Sequence, residues 1–165
     1  MSARKSAFAP VVDADTRVLI LGSLPGDISL AEGRYYANPR NRFWNLVGEV
    51  IETPELPGLE YQNRLEVLML RGIGLWDAAA SATREGSLDS AIREVEAAEL
   101  EALVSTLPQL RAVAFNGKTS ARIARPQLTE SALVLVDLPS SSPAHAAMPF
   151  AEKRSIWLSL RQFLV

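Results

Sequence analysis

The sequence predicts an α/β protein, a three-layer α/β/α sandwich with a central, mostly parallel sheet. Short apolar runs rich in β-branched residues recur along the chain, and each run ends in a turn or loop. Between them lie stretches whose apolar residues recur every three or four positions, which is typical of amphipathic helices. Right-handed crossovers place such helices on both faces of a parallel sheet. The 165 residues suit one compact domain, so we expect residues 1–165 to fold as a single domain.

The first half of the chain contains two predicted strands and two predicted helices. Residues 16–22 form a continuous apolar run closed by glycine, typical of a buried parallel strand. Residues 23–40 hold several prolines and glycines without periodicity, which predicts a long ordered loop. Helical spacing predicts helices over residues 41–51 and 60–70, each ended by proline or glycine. Residues 73–76 then form a short strand.

The second half repeats the pattern. Residues 78–90 are small and polar and predict a second long loop. Apolar spacing and apolar runs predict the remaining elements: a helix at 97–107, a strand at 111–117, a helix at 118–124, a strand at 132–137, a proline- and serine-rich loop at 138–149, and a final helix containing 156–164.

The predicted topology also locates a ligand site. Open α/β sheets bind ligands beyond the carboxyl ends of their strands. The loops that follow Leu21, Trp76, Phe115 and Asp137 should therefore converge on one cleft.

Composition excludes several classes of function. Hydrophobic residues make up 48% and charged residues 22%, which rules out a disordered, collagen-like or coiled-coil chain. With no cysteine, the chain has no disulfide, thiolate zinc site, iron–sulfur cluster or cysteine nucleophile. His145 is the only imidazole, so we expect no metal site. The net charge of −2 argues against polyanion binding by the whole surface, but leaves room for a local basic face.

The chain contains no apolar run of the ~20 residues that span a bilayer, and its first residues lack a secretory signal. We therefore expect a cytoplasmic protein, a monomer without a membrane partner.

Cations and aromatic side chains cluster between the first strand and the first long helix: Arg34, Tyr35, Tyr36, Arg40, Arg42, Phe43 and Trp44. Such a mixture suits a nucleic acid with an exposed base, because bases stack on aromatic rings and arginines attract phosphates. Helical spacing favours a core role for Phe43 and Trp44, whereas the two tyrosines have no obvious core to fill.

Three further sites hold polar residues at strand ends. Asn116 and Lys118 flank a glycine at a strand-to-helix turn, which predicts either an anion-binding turn or a helix cap. Asp77 directly follows a strand, so it either points into the cleft or caps a helix. The loop at 138–149 holds Ser140, Ser141, Ser142 and His145, a set of side chains suited to contact a phosphate unless the loop is a plain connection.

Two other readings of these loops fail on spacing. The segment Gly22-Ser-Leu-Pro-Gly lacks both the dinucleotide fingerprint and the Gly-Lys-Ser/Thr of a P-loop. The serines have no Gly-x-Ser-x-Gly elbow, which argues against a serine hydrolase.

Taken together, Gly22-Ser-Leu-Pro-Gly, the block from Tyr35 to Trp44 and the Leu138-Pro-Ser-Ser-Ser-Pro loop resemble the uracil-DNA glycosylase superfamily. The most similar branches are the hypoxanthine-DNA (deoxyinosine) glycosylases and, next, the mismatch-specific uracil/thymine glycosylases. The resemblance spans the chain from Val18 to the last helix, and Ala37–Trp44 is its most specific part. It implies a three-layer fold, a basic DNA-facing groove, base flipping and hydrolysis of the N-glycosidic bond without a cofactor.

The resemblance also implies residue roles. Leu24 stands where the mismatch-specific branch has its catalytic asparagine, and Leu138 stands where many uracil glycosylases have a histidine. Both departures favour the hypoxanthine branch, in which an asparagine of the next motif serves, here Asn41. Tyr36 takes the position of the base-stacking aromatic, and Asp77 that of a base-reading asparagine. Expected base contacts are thus Ser23, Leu24, Tyr36 and Asp77, and expected DNA contacts are Arg40, Arg42, Asn116, Lys118, Ser140, Ser141, Ser142 and His145.

The resulting hypothesis is a monofunctional DNA glycosylase that acts on deaminated bases in DNA, with hypoxanthine preferred. An ionised Asp77 would accept N1–H of hypoxanthine and be repelled by the N1 lone pair of adenine. It would equally accept N3–H of uracil, so a uracil or G/U-mismatch glycosylase is the alternative. Because Leu24 removes a known catalytic group, a catalytically idle DNA- or nucleotide-binding module is the third reading.

Overall fold

The computed structural model describes residues 3–165, which contain seven β-strands and six α-helices. The strands are β1 (Arg4–Ser6), β2 (Val18–Gly22), β3 (Ile73–Asp77), β4 (Ala79–Thr83), β5 (Arg93–Ala97), β6 (Ala112–Asn116) and β7 (Val134–Leu138). The helices are α1 (Asp27–Glu32), α2 (Phe43–Val50), α3 (Tyr61–Leu70), α4 (Leu100–Val104), α5 (Lys118–Ala124) and α6 (Phe150–Trp157). Short 3-10 turns lie at Leu56–Gly58, Asp89–Ala91, Arg125–Gln127 and Leu158–Phe163.

The central sheet confirms the predicted fold class. Its four strands run parallel in the order β3-β2-β6-β7. The middle strand β2 is apolar throughout because helices cover both of its faces. Val18 and Ile20 pack with α2, α3 and α6 on one face. Leu19 and Leu21 pack with α4 and α5 on the other, which gives three layers.

A second, small sheet corrects the prediction of a long loop at 78–90. Strand β4 lies between β1 and β5 in an antiparallel sheet. Only Ala97, the last residue of β5, falls where the sequence predicted the start of a helix, and the residues before it had no predicted element. The segment Ala79–Thr83 consists of small residues without apolar alternation, so its strand character comes from partners distant in sequence. The segment 23–40, also predicted as a loop, contains the short helix α1.

The strands of the central sheet end together, as predicted. Gly22, Asp77, Asn116 and Leu138 close β2, β3, β6 and β7 at one edge. A cavity of about 420 Å³ opens there, within the usual size range of a small-molecule pocket.

No helix formed by residues 3–165 has the length and apolar character needed to cross a bilayer.

Candidate active site

The pocket is built from segments far apart in the chain. Its walls come from the turn after β2, the segment before α2, the end of β3, the loop between β4 and β5, and the loop after β7. Of the predicted site residues, ten line it: Ser23, Leu24, Tyr36, Arg40, Asn41, Asp77, Asn116, Ser140, Ser141 and Ser142. Arg42, Lys118 and His145 lie outside its lining.

Tyr36 is held rigidly at the pocket wall. Its ring stacks on Phe43 with 3.8 Å between ring centroids and 6° between planes. The Trp44 indole N–H donates to the Tyr36 carbonyl over 3.1 Å, and Asn116 Nδ2 donates to the Tyr36 hydroxyl over 3.3 Å. Its backbone adopts a φ of 52°, a left-handed conformation that is costly for an aromatic residue and that these contacts maintain. With Phe43 covering one face, the opposite face is the surface left for a ligand.

Tyr35 corrects the prediction that neither tyrosine has a core to fill. Its side chain is only 5% exposed, its ring packs edge-on against Phe8, and its hydroxyl donates to the Ala9 carbonyl over 2.8 Å. The amino-terminal segment supplies this environment, and local sequence patterns do not reveal such a distant partner. Phe43 and Trp44 are buried, as predicted.

Asn41 lies one residue before Arg42, the N-cap of α2, and its side chain supports the turn that leads into the helix. Its Oδ1 accepts the Phe43 N–H over 2.9 Å, which satisfies a backbone donor of the first helical turn. The Asn41 amide also lines the pocket, and its N–H groups donate to no other described residue. This bond to the Phe43 N–H is therefore compatible with a role of the Asn41 amide in the pocket.

Asp77 does not cap a helix, because β3 leads directly into β4. The carboxylate is 3% exposed, and its Oδ2 has no hydrogen-bond partner among the described residues. Burial, followed by the charge of Asp89, raises the Asp77 pKa to about 7, while Arg84 acts in the opposite direction. A methyl group added at Gly22 would lie 2.6 Å from Asp77 Oδ1, so glycine is what lets the carboxylate approach β2.

Two side chains that shape the site, Asp89 and Arg84, were not predicted from the sequence. The Ser23 hydroxyl donates to Asp89 Oδ1 over 2.6 Å, which places a second carboxylate in the pocket wall. The buried Arg84 guanidinium donates to the carbonyls of Gly86, Leu24 and Pro25, and so holds the turn after β2. Both residues belong to the region predicted as a loop, where no periodicity or motif marks them.

Leu24 turns its side chain into the protein. It packs with Ala79, Ala82 and Ile92 in a small apolar cluster. Only a small part of the residue reaches the pocket, so its predicted base contact is limited to that part and to its backbone.

Asn116 and Ser141, both predicted to contact DNA, are bonded to each other. Asn116 Nδ2 donates to Ser141 Oγ over 2.9 Å, and the Ser141 N–H donates to Asn116 Oδ1 over 2.9 Å. Ser141 is 1% exposed. These bonds tie β6 to the loop after β7 at the wall of the pocket. The alternative of a helix cap at Asn116 is wrong, because Gly117 precedes α5 without a side-chain cap.

We expect Ser141→Ala to destabilise the fold. The change leaves a buried Asn116 N–H with a poorer partner, which costs about 1–3 kcal/mol. The melting temperature should fall by about 2–4 °C per kcal/mol. Thermal unfolding measures this, with Ser142→Ala as the control, since Ser142 Oγ accepts only a solvent-exposed bond from the Ala144 N–H. An unchanged melting temperature combined with weaker DNA binding would support the prediction that Ser141 contacts a DNA phosphate.

The remaining predicted DNA contacts lie around the pocket. Arg40 is exposed at its rim, and Arg42 places its guanidinium 4.3 Å from the centre of the Phe150 ring. Lys118 is exposed in a neighbouring groove. His145 is half-buried in the turn after Ser142 and donates its backbone N–H to the Ser142 carbonyl.

Lys153 is a further cation that sequence patterns did not indicate. It is 4% exposed on α6, and burial together with the charge of Arg42 lowers its pKa. It therefore lies beside Arg42, on the helix that follows the loop after β7.

Within residues 3–165, no group of three or more histidine, aspartate or glutamate side chains is arranged to hold a metal ion.

Comparison with known proteins gives consistent matches. Residues 9–161 match the family model described as the Uracil DNA glycosylase superfamily. A hypoxanthine DNA glycosylase of Methanosarcina barkeri is 45% identical over 117 residues, 71% of this chain and 73% of the relative. A hypoxanthine DNA glycosylase of Methanosarcina acetivorans is 40% identical over 141 residues, 86% of this chain and 88% of the relative.

A solved structure also matches closely. The solution NMR structure of a candidate uracil DNA glycosylase from Methanosarcina acetivorans superposes with a TM-score of 0.87 at 37% sequence identity. The alignment covers 98% of this chain and 99% of that one.

Proposed function

Because this chain belongs to the uracil DNA glycosylase superfamily, we propose that it is a monofunctional DNA glycosylase that hydrolyses the N-glycosidic bond of a flipped deaminated base, with hypoxanthine preferred. The observation that carries the proposal is the pocket, where Tyr36, Asn41 and Asp77 reach one cavity from three separate segments. An aromatic platform, an amide and a buried carboxyl group are what recognition and hydrolysis of a flipped base require.

Tyr36 is the proposed platform for the flipped base. Unstacking a base from the duplex costs a few kcal/mol, and stacking on an aromatic ring returns about 1–3 kcal/mol. The stacking of Tyr36 on Phe43 favours this role, because it fixes the orientation of the Tyr36 ring before the base binds.

Asn41 is the proposed catalytic residue and Asp77 the proposed base-contacting residue. Breaking the glycosidic bond leaves positive charge on the sugar and negative charge on the base. The enzyme therefore gains most from a water held at C1′ and from donors aimed at the base. The Asn41 amide is suited to hold the water, and Asp77 is the buried polar group suited to meet the base edge. Neither role needs a metal ion.

The DNA backbone is proposed to lie along the rim of the pocket. Arg40 supplies accessible positive charge at this rim, and Arg42 and Lys118 are exposed cations beside it. We also propose that the protein acts as a monomer. We place that action on DNA in the cytoplasm, without a membrane partner.

Excision assays test this function directly. Purified protein is incubated with duplexes that hold one deoxyinosine, deoxyuridine or deoxyxanthosine, and alkali-labile abasic sites are then counted. Deoxyinosine should be cleaved fastest, also in the presence of a metal chelator. Faster cleavage of deoxyuridine would favour the uracil alternative, which gains support from the superposed structure described as a candidate uracil DNA glycosylase. Binding without cleavage of any duplex would favour the idle module suggested by Leu24.

The loop after β7 is proposed to enter the DNA and hold the flipped state. Pro143 and Pro149 limit its freedom, and His145 and Met148 are half-buried beside exposed alanines. His145→Ala and Met148→Ala should weaken binding to a duplex that contains an abasic site. Cleavage of a single-stranded substrate should suffer less, because it has no base stack to open. Equal losses on both substrates would assign the loop to the catalytic step instead.

A further inference from the structure

The chemical state of Asp77 is determined by the groups around it. The carboxyl group lies at the end of β3, buried, with Oδ2 free of any hydrogen bond from the described residues. Four titratable or charged side chains face it from the neighbouring segments: Asp89, Arg84, Tyr35 and Tyr36. Of these, Arg84 is the one cation, and its guanidinium donates to three backbone carbonyls rather than to Asp77.

Asp89 makes a negative charge on Asp77 still less favourable. Asp89 lines the same pocket and accepts the Ser23 hydroxyl over 2.6 Å. A negative charge on Asp89 makes a second negative charge in this pocket more costly, and Asp77 is buried with no donor to its Oδ2 among the described residues. The Asp77 pKa, raised to about 7 first by burial and then by Asp89, agrees with this arrangement.

We infer that Asp77 acts on the flipped base as a neutral carboxylic acid, donating its O–H to the base carbonyl while its other oxygen accepts the adjacent ring N–H. This inference rests on the proposed glycosylase function and names the edge of the base that the pocket reads. Hypoxanthine offers O6 beside N1–H, and a carboxylic acid complements that pair with two hydrogen bonds. A carboxylate matches only the N–H and repels the carbonyl oxygen.

The neutral acid also assists bond cleavage. As the bond between C1′ and N9 breaks, its electron pair stays with the base, and part of the negative charge spreads to O6. The Asp77 O–H then donates to an oxygen that gains charge, so this hydrogen bond is stronger in the transition state than in the ground state. Asp77 keeps its proton throughout. Water adds to C1′ and releases a proton to solvent, and the departed base takes up one proton from solvent.

One consequence concerns adenine. A carboxylic acid also complements adenine, because its O–H can donate to N1 and its other oxygen can accept an amino hydrogen. Repulsion of adenine by Asp77 therefore operates only above the Asp77 pKa, where the group is ionised. Below that pH, exclusion of adenine must come from other pocket groups.

The pH dependence of single-turnover excision of deoxyinosine tests the inference. With neutral Asp77 as the active form, the rate constant should be level below about pH 7 and fall about tenfold per pH unit above it. Asp77→Asn should retain substantial activity and lose this fall, because an amide offers a donor and an acceptor at every pH. Asp89→Asn should move the fall to lower pH, since it removes a charge that raises the Asp77 pKa.

Several outcomes would overturn the inference while leaving the glycosylase function intact. These are a rate that rises through pH 7, a folded Asp77→Asn protein with a more than tenfold loss at every pH, or an Asp77 carboxyl that NMR shows titrating near its ordinary value of about 4. The NMR titration uses the wild-type protein and so does not depend on the folding of a variant. Absence of excision by the wild-type protein at any pH would instead refute the proposed function itself, and with it this inference.

Discussion

Asn41→Ser should lower the single-turnover rate of deoxyinosine excision at least tenfold, which corresponds to about 1.4 kcal/mol or more of lost transition-state stabilisation. The serine hydroxyl can still accept the Phe43 N–H, so the beginning of α2 should remain intact. What disappears is the amide group that lines the pocket and that we propose to hold the attacking water. Rates are measured with enzyme in excess, so that product release does not limit them.

Two further variants separate a catalytic role of Asn41 from its structural bond to the Phe43 N–H. Asn41→Asp keeps an acceptor for the Phe43 N–H and nearly the same shape, but it lacks the amide donors, so its rate should fall as well. Asn45→Ser changes an asparagine in α2 outside the pocket lining, and its excision rate should stay near that of the wild-type protein. An Asn41→Ser protein that keeps its melting temperature and excises at the wild-type rate would remove Asn41 from the mechanism.

Gly22→Ala should reduce excision about a hundredfold or more, roughly 2.7 kcal/mol in the activation free energy. The added methyl group would lie 2.6 Å from Asp77 Oδ1 and 3.0 Å from the Tyr36 hydroxyl. The distance to Asp77 is shorter than carbon–oxygen contacts allow, and the distance to Tyr36 is tighter than most such contacts. Both partners are confined: Asp77 by burial and Tyr36 by its stack on Phe43. A single methyl group should therefore displace the proposed base-contacting and base-stacking groups together.

The stability change expected from Gly22→Ala is smaller than its catalytic effect. Overpacking of a core site costs about 1–3 kcal/mol, so the protein should remain folded with a lower melting temperature. Gly58→Ala is the matched control, because a methyl group there meets no atom within 4 Å. Both variants are compared by thermal unfolding and by single-turnover excision. Undiminished excision by Gly22→Ala would show that neither Asp77 nor Tyr36 needs its present position.

The central sheet was predictable because the apolar patterns that indicate its strands lie within short segments of the chain. Strands β2 and β6 are covered on both faces, and β7 lies at the edge of the sheet. The apolar runs of all three can be recognised in the sequence without knowing which strands they pair with. Their common direction then follows from the helices between them. The convergence of their carboxyl ends, and with it the position of the pocket, follows from the fold class alone.

The small antiparallel sheet was not predictable in this way. β4 is a run of small residues, and its strand conformation depends on pairing with β1. Arg4 of β1 pairs with Thr83 of β4, although the two residues are more than seventy positions apart in the chain. Non-local pairing of this kind leaves no periodic signature in a short segment. The loop that carries Asp89, and the Arg84 contacts that hold the turn after β2, depend on that sheet.

The sequence by itself determined the fold class, the edge of the sheet where the pocket opens, and the residue types that reach it, because apolar periodicity and strand-end position are properties of short segments. Only the tertiary structure decided which of those residues remain available. Asn116 and Ser141 bind each other, Tyr35 fills a space made by the amino-terminal segment, and Leu24 packs inward. Burial and the charge of Asp89 likewise govern the protonation of Asp77, and both arise from contacts that local sequence does not encode.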